Sequence, residues 1–269
     1  MAELRLSGGA LDGLTLHYVS AGRGPAVVLL HGLGGFAESW RRTVEALAPR
    51  HTVIALDLPG FGHSAKPRAH YSLGFFANAL GGFLDGLGLG SASLVGHSMG
   101  GAVALAVAAR APGRIASLTL IAPSGFGPEI NAGYLRGFAD AQTRRELKPV
   151  VGQLFADESL VTRQLVEDLL AYKRLDGVDE ALHALADTLL DGDAQRGDPA
   201  TAAAQVAALG GAVPVTVVWG RADRIIPAAQ AEAVPGPVRR LIDGAGHMPH
   251  MERPAEVQAA IEETIARST

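Results

Sequence analysis

The sequence predicts an α/β fold in which a mostly parallel central sheet is covered by helices on both faces. Short, continuous apolar runs alternate with helical patterns, as expected for strands that are buried on both sides. A long internal stretch contains helical patterns only. A glycine-flanked serine also separates an apolar run from an alanine-rich helical run. These three observations favour one sheet domain that carries a helical insertion.

The candidate strands and helices of the sheet domain follow one another along the chain. Residues 14–19 alternate between apolar and other side chains and are expected to form an antiparallel strand with residues 3–7. Continuous apolar runs predict buried strands at residues 26–30, 53–56, 93–95, 118–122, 213–219 and 238–242. Helical patterns occupy residues 39–47, 72–87, 99–110 and 252–267, the last with Pro254 in its first turn.

The helical insertion is expected to form a cap over the sheet domain. Strand-like runs disappear between Ser124 and Leu209, and helical periodicity occurs at residues 146–155, 160–172 and 178–190. We therefore divide the chain into a core of residues 1–124 and 211–269 and a cap of residues 125–210.

Composition limits the classes of protein that remain. The chain has 269 residues, of which 19% are charged, and a formal net charge of −4, so no basic surplus suggests a nucleic-acid partner. It contains no cysteine, which excludes disulfides, thiolate metal sites and a cysteine nucleophile. The apolar helical run at residues 102–109 is too short to span a bilayer, and the first residues lack a signal-peptide pattern. We therefore expect a cytoplasmic protein without a membrane partner.

The serine of the G-x-S-x-G pattern is the strongest candidate for a nucleophile. Gly96 and Gly100 flank Ser98 at the junction between a predicted strand and a predicted helix, which is typical of a nucleophile elbow. A Cβ at either glycine is expected to clash in so sharp a turn. The alternative interpretation is a glycine-rich structural turn.

Two further residues follow later strands and complete a candidate catalytic triad. Asp223 comes just after the predicted strand at residues 213–219, and His247 follows the one at residues 238–242. Ser98, Asp223 and His247 therefore occur in the chain order expected for this architecture. An imidazole must take the proton of the serine, and a carboxylate must orient the imidazole. Asp223 has the alternative interpretation of a turn or N-cap residue, in which case Asp243 is the fallback acid.

The oxyanion hole and the substrate pocket are also predicted from neighbouring residues. The backbone N–H groups of Leu33 and Met99 are expected to form the oxyanion hole. The candidate pocket residues are Phe36, Phe126, Tyr134, Phe138, Phe155 and Met248. The four aromatic residues of the cap have the alternative interpretation of helix-packing core.

No cofactor or metal site is expected. The glycine-rich residues 31–35 lack the Lys-Ser/Thr of a P-loop, and the glycines at residues 86–90 precede a strand rather than follow one. His247 and His250 lack the glutamate and the spacing of a zinc-binding H-E-x-x-H motif. Since His31, His97 and His250 lie beside glycines or the last helix, structural roles are favoured for them.

On these motifs the chain resembles the α/β-hydrolase superfamily over nearly its whole length. The motifs are HGLGG at residues 31–35, DLPGFGHS at 57–64, GHSMGG at 96–101, GRAD at 220–223 and GH at 246–247. The resemblance implies the α/β-hydrolase fold. Haloalkane dehalogenases and epoxide hydrolases fit less well, because they place an aspartate where this chain has Ser98. Carbon–carbon bond hydrolases usually have Asn and Trp where this chain has His97 and Met248.

The insertion shows a closer resemblance, to the hydrolase-like catalytic part of acetoin dehydrogenase E2, a dihydrolipoamide acetyltransferase. The matching segments are residues 120–131, 144–150 and 172–178. Members of that group are expected to carry an N-terminal lipoyl domain, whereas this chain begins almost at the hydrolase domain. We therefore expect either a free-standing relative or a fragment, and association with a 2-oxo-acid-dehydrogenase-type complex is a further expectation.

The expected function is that of a serine hydrolase that cleaves a small or medium acyl ester or thioester through an acyl-enzyme. An acyltransferase that passes the acyl group to a thiol such as dihydrolipoamide or coenzyme A is the main alternative. A carbon–carbon bond hydrolase and a non-catalytic ligand-binding module are weaker alternatives. A complete triad argues against the module, because binding alone does not need all three residues.

Overall fold

A computed structural model describes residues 2–209 and 211–268 of the chain. The predicted boundaries at residues 1, 210 and 269 lie outside the described residues. Within these ranges no helix is both long and apolar enough to cross a membrane.

The central sheet has eight strands in the order β1-β2-β4-β3-β5-β6-β9-β10. The strands are β1 (Ala2–Arg5), β2 (Thr15–Ala21), β3 (Ala26–Leu30), β4 (Thr52–Leu56), β5 (Ala92–His97), β6 (Ile115–Ile121), β9 (Val215–Gly220) and β10 (Val238–Ile242). Strand β2 pairs antiparallel with β1 and β4, and all other pairs are parallel. The predicted α/β architecture and the predicted antiparallel first pair are therefore present.

The described residues form ten α-helices, some of which cover the sheet and some of which form the insertion. They are α1 (Arg41–Leu47), α2 (Leu73–Gly86), α3 (Met99–Arg110), α4 (Ala132–Asp140), α5 (Arg144–Gly152), α6 (Arg163–Lys173), α7 (Val178–Leu189), α8 (Pro199–Ala208), α9 (Pro249–Glu252) and α10 (Pro254–Ala266). The predicted closing helix at residues 252–267 is α10, which has Pro254 in its first turn as expected. The short helix α9, which was not predicted, precedes it and ends before Arg253, whose backbone is not helical.

Two apolar clusters hold helices against opposite faces of the sheet. On one face, Trp40 and Leu47 pack with Ile261 of α10 and with strand residues such as Val27. On the other face, α2 and α3 pack against the sheet and against each other. Because the central strands are apolar on both sides, burial of both faces removes their side chains from water.

The insertion differs from its prediction in two respects. A short antiparallel pair of strands, β7 (Leu190–Asp191) and β8 (Ala194–Gln195), interrupts a segment that was expected to be helical throughout. Helix α8, which the predicted cap includes, packs against α3 of the sheet domain, with Ala202 and Val206 buried. The remaining helices, α4 to α7, pack on one another. Helix α8 therefore packs with the sheet domain and does not belong to the group of helices, α4 to α7, that lies over the carboxyl ends of the strands.

The carboxyl ends of the parallel strands bring distant segments together. The loops that follow β3, β4, β5, β9 and β10 all leave the sheet at the same edge, where ligands bind in sheets of this kind. Helices α4 to α6 lie next to this edge and close a cavity above it. The predicted site residues therefore converge although they are far apart in the sequence.

Candidate active site

Ser98 occupies a strained turn between β5 and α3. Its backbone angles are φ 53° and ψ −120°, which are unfavourable for a residue with a side chain. A Cβ at Gly96 would lie 2.3 Å from the backbone oxygen of Gly100, and a Cβ at Gly100 would lie 2.5 Å from that of His31. Only glycine fits at both positions, so the turn that presents Ser98 has the predicted form.

Asp223 and His247 form a buried hydrogen-bonded pair next to this turn. His247 Nδ1 donates to Asp223 Oδ2 at 2.8 Å, and their side chains are 3% and 0% exposed. The His247 backbone N–H also donates to Leu154 O of the insertion at 2.8 Å. His247 and Ser98 line the same cavity, and no hydrogen bond between their side chains is present. Such bonds often tighten only when substrate binds.

Two further histidine rings pack behind His247. His97 Nε2 donates to the backbone oxygen of His247 at 2.8 Å, and the His250 ring stacks on Trp40 with 4.5 Å between centroids. Burial lowers the pKa of His97 well below its ordinary value and that of His250 to about 3, and neighbouring histidines add to both shifts. Both rings are therefore neutral near pH 7. His97 fixes the position of the loop that carries His247.

Two backbone N–H groups near Ser98 have no backbone acceptor among the described residues. The N–H groups of Leu33 and Met99 donate to no backbone oxygen of the described residues. Both residues and Ser98 line a small cavity of about 30 Å³. His31 fixes the loop, since its Nδ1 donates to Gly32 O at 2.8 Å and its Nε2 accepts from the backbone after β4 at 3.0 Å.

A larger cavity of about 660 Å³ opens above Ser98. Its lining includes five of the six predicted pocket residues, which are Phe36, Tyr134, Phe138, Phe155 and Met248. Apolar side chains of α6, such as Leu165 and Leu169, extend the same wall. Helices of the insertion thus supply much of the apolar surface of the cavity, and the sheet edge supplies the candidate nucleophile.

Phe126 is placed differently from its prediction as a pocket residue. Its side chain is fully buried, with its ring 6.3 Å from that of Trp219, and it does not line the cavity above Ser98. The ring follows β6 closely and still lies over the sheet, so packing in the core buries its whole apolar surface. Phe126 is therefore a core residue.

Sequence reasoning missed a polar wall of the cavity that contains His17, Asp57, His63 and Tyr172. Asp57 is buried, and its Oδ2 accepts from His17 Nδ1 at 2.7 Å and from the His63 backbone N–H at 2.9 Å. Its Oδ1 accepts from the Ala37 backbone N–H at 2.6 Å. Asp57 could have been predicted as part of this wall, because it directly follows the buried strand β4. No sequence pattern indicates that Tyr172 on α6 lines the cavity.

Within residues 2–209 and 211–268, no group of three or more histidine, aspartate or glutamate side chains is arranged to hold a metal ion. The site itself offers a serine, an imidazole that bonds to a carboxylate, and two backbone N–H groups without a backbone acceptor among the described residues.

The eight-stranded sheet and the serine turn are those of an α/β-hydrolase. The chain belongs to the alpha/beta hydrolase fold family, whose model matches residues 25–254.

Two similar proteins are bacterial. The chain is 46% identical over 257 residues to the dihydrolipoyllysine-residue acetyltransferase component of the acetoin cleaving system of Cupriavidus necator, a match that covers 95% of this chain and 67% of that protein. It is 48% identical over 234 residues to the component of the same name in Pseudomonas putida, with 87% and 61% covered. The chain thus spans about two thirds of the length of these relatives. The predicted resemblance to this E2 component is confirmed.

Solved structures with the same fold include hydrolases of different kinds. A meta-cleavage product hydrolase from Pseudomonas fluorescens superposes with a TM-score of 0.88 at 22% identity and covers 100% of this chain and 98% of its own. A thermophilic esterase from Thermogutta terrifontis gives a TM-score of 0.78 at 27% identity, with 99% and 98% covered. These neighbours support the fold.

Proposed function

We propose that the protein is a serine hydrolase that cleaves an ester or thioester of a small or medium acyl group through an acyl-enzyme. The observation that carries the proposal is the 2.8 Å bond between His247 Nδ1 and Asp223 Oδ2 beside the strained Ser98. A serine hydroxyl is a weak nucleophile near neutral pH, and a base oriented in this way activates it.

In the acylation step, Ser98 Oγ attacks the carbonyl carbon of the substrate and His247 Nε2 takes the serine proton. Asp223 accepts the Nδ1–H bond and stabilises the imidazolium that forms. The N–H groups of Leu33 and Met99 bind the oxyanion of the tetrahedral intermediate. The intermediate collapses when the carbon–oxygen or carbon–sulfur bond to the leaving group breaks, and the His247 proton goes to that group.

In the deacylation step, water replaces the leaving group. His247 takes a proton from the water as its oxygen attacks the acyl carbon, and the oxyanion again binds between the N–H groups of Leu33 and Met99. The ester bond to Ser98 then breaks, and His247 returns its proton to the serine oxygen. The products are a carboxylic acid and the free enzyme.

The size and lining of the cavity support a small or medium, mostly apolar substrate. A volume of about 660 Å³ lies within the ordinary range for small-molecule sites. The aromatic side chains of Phe36, Phe138 and Phe155 offer contact to a hydrocarbon chain but no charge.

The test is hydrolysis of p-nitrophenyl esters and acyl thioesters by the Ser98→Ala variant. We expect kcat to fall by about 10,000-fold or more, because no other group can form the acyl-enzyme. The exposed Ser91 supplies a matched control, and Ser91→Ala should keep wild-type activity. A fluorophosphonate should label the wild type and not Ser98→Ala. Wild-type ester hydrolysis by a correctly folded Ser98→Ala variant would contradict the proposal.

Acyl transfer to a thiol is the second candidate function. The observation that favours it is the 46–48% identity to components named dihydrolipoyllysine-residue acetyltransferases. The same acyl-enzyme would form, and a thiolate would attack it in place of water. Partitioning of an acetyl thioester between acetate and acetyl-dihydrolipoamide separates the two candidates. Acetate as the main product at millimolar dihydrolipoamide supports hydrolysis, and acetyl-dihydrolipoamide as the main product supports transfer.

A further inference from the structure

One carboxylate joins the loop before His247 to the insertion. Glu252 lies at the end of α9 and is half-buried. Its Oε2 accepts from the Gly246 backbone N–H at 2.6 Å, and its Oε1 accepts from the Ala156 backbone N–H at 2.7 Å. Hydrogen bonds to an ionised acceptor are stronger than those between neutral groups. Glu252 therefore binds the sheet domain to the insertion directly beside the candidate base.

The backbone on both sides of the His247 imidazole is held by hydrogen bonds. Besides the bond from Gly246 to Glu252, the His247 N–H donates to Leu154 O at 2.8 Å. The His247 carbonyl accepts from His97 Nε2, also at 2.8 Å. A Cβ at Gly246 would lie 2.7 Å from Leu154 O, so the two backbones are in direct contact. The His247 loop thus cannot shift without breaking bonds to the insertion.

The segment of the insertion that receives these bonds also forms a wall of the cavity. Phe155 lies between Leu154 and Ala156, lines the cavity and is almost fully buried. The Phe155 carbonyl accepts from Nη2 of Arg224 at 2.6 Å, and Arg224 directly follows Asp223 in the chain. This segment is therefore bonded to the loop of the candidate acid as well as to the loop of the candidate base.

We propose that Glu252 is a positioning residue for His247. The inference rests on the proposed acyl-enzyme function, in which His247 Nε2 takes the proton of Ser98 and then gives it to the leaving group. Glu252 does not line the cavity and acts through the Gly246 N–H and through the insertion. Displacement of a catalytic group by about 1 Å can lower the rate by about 100-fold, so the position of this loop determines activity. The insertion thus holds the base in place and also encloses the substrate.

The test compares two esters that share an acyl group, p-nitrophenyl butyrate and ethyl butyrate, in the wild type and in Glu252→Ala. p-Nitrophenolate leaves without a proton, whereas ethoxide requires the proton of His247. We expect kcat/KM to fall for both esters in Glu252→Ala, and to fall by about tenfold more for ethyl butyrate. A smaller folded fraction, or an altered wall at Phe155, lowers kcat/KM for both esters by the same factor. The ratio of the two values therefore separates positioning of His247 from a merely structural role.

Two further variants complete the experiment. Glu256→Ala removes a carboxylate from an exposed position of α10 and should keep the wild-type ratio. Glu252→Gln keeps the shape of the side chain and one acceptor oxygen, so it retains one of the two bonds. It should shift the ratio in the same direction by less, and it supplies the comparison if Glu252→Ala does not fold.

The failure of this inference differs from the failure of the proposed function. An equal loss on both esters in the folded Glu252 variants, or no loss at all, overturns the positioning role while the wild type still cleaves both esters. A wild type that cleaves neither ester contradicts the proposed function itself.

Discussion

At the residue scale, Asp223 makes two sets of hydrogen bonds with its two carboxylate oxygens. Oδ1 accepts from the backbone N–H groups of Ile225 and Ile226 at 2.8 and 3.0 Å. Oδ2 accepts from Trp219 Nε1 at 3.0 Å and from His247 Nδ1 at 2.8 Å. The residue thus stabilises its own turn and orients the imidazole at once. The two interpretations of Asp223 from the sequence, as turn residue and as acid, are compatible.

Asp223→Asn should lower kcat for ester hydrolysis by about 10,000-fold while the fold is retained. An asparagine keeps one oxygen for the turn but presents an amide to His247 Nδ1, which favours the wrong tautomer. Steady-state kinetics on a p-nitrophenyl ester, with circular dichroism as the check of folding, measures the effect.

Asp243→Asn provides the control for that experiment. Asp243 lies on the loop before His247, is 89% exposed in its side chain and pairs with Arg221 at 2.8 Å. Exposed ion pairs contribute little, so activity should be unchanged. The reverse pattern, with Asp243→Asn inactive and Asp223→Asn active, would assign the acid to Asp243.

At the element scale, helices α4 and α6 position the insertion over the loop that follows β3 and contains Leu33 and Gly34. A Cβ at Gly34 would lie 2.4 Å from the Phe138 ring, so the ring of α4 rests directly on that loop. Lys173, at the end of α6, is 3% exposed and donates to the backbone oxygens of Phe138 and Ala139 at 2.5 and 2.9 Å. These carbonyls belong to the last turn of α4, where helices lack internal donors. A single lysine thus joins two helices of the insertion above the site.

Lys173→Met should lower the free energy of unfolding by about 1–3 kcal/mol, because two carbonyls lose a charged donor in a buried position. Urea denaturation measures the change. Lys148→Met, at an exposed position of α5, makes the same chemical substitution and should change the free energy of unfolding by less than about 0.5 kcal/mol. Equal effects of the two variants would show that the Lys173 bonds do not stabilise the fold.

At the scale of the whole molecule, the sheet edge contains several histidines that stay neutral when folded. Burial lowers the pKa of His31, His97 and His250, in each case as the largest cause. In the unfolded chain these groups titrate near the ordinary value of 6.5. Below that pH the unfolded chain binds protons that the folded chain does not, so stability falls as pH falls.

The free energy of unfolding should therefore decrease by about 1.4 kcal/mol per pH unit for each such histidine. For His250 the decrease begins near pH 6.5 and continues to about pH 3. His250→Gln should reduce the slope by the share of one histidine, measured by urea denaturation at a series of pH values. His70→Gln replaces an exposed histidine and should keep the wild-type slope. An unchanged slope in His250→Gln would show that His250 does not titrate on unfolding.

Much of the fold was predictable from local patterns in the sequence. Strands buried on both faces are continuous apolar runs, and the glycine-rich loops after them mark the sheet edge where Ser98, Asp223 and His247 lie. The insertion was harder, since the helical patterns of α4 and α8 are interrupted by glycine or dominated by alanine. Nothing local distinguishes the helix that covers the sheet edge from the one that packs on α3.

The pocket was predictable only in part, because it depends on how the insertion docks. Phe126 and Phe138 are both aromatic residues after β6, yet one packs on Trp219 and the other lines the cavity. Tyr172 belongs to an apolar helical pattern in which a tyrosine is an ordinary core residue. Its ring contact with Phe36 becomes visible only when α6 lies against the sheet edge.

The strand order also determines when the candidate site can assemble during synthesis. β6 lies between β5 and β9 in the sheet, and the whole insertion separates β6 from β9 in the chain. A ribosome therefore makes a sheet with an open apolar edge at β6 long before β9 can cover it, and such edges promote aggregation. A nascent chain contains Ser98 early, but His247 is added only after the residues of β10. The candidate triad therefore cannot assemble until synthesis of the chain is nearly finished.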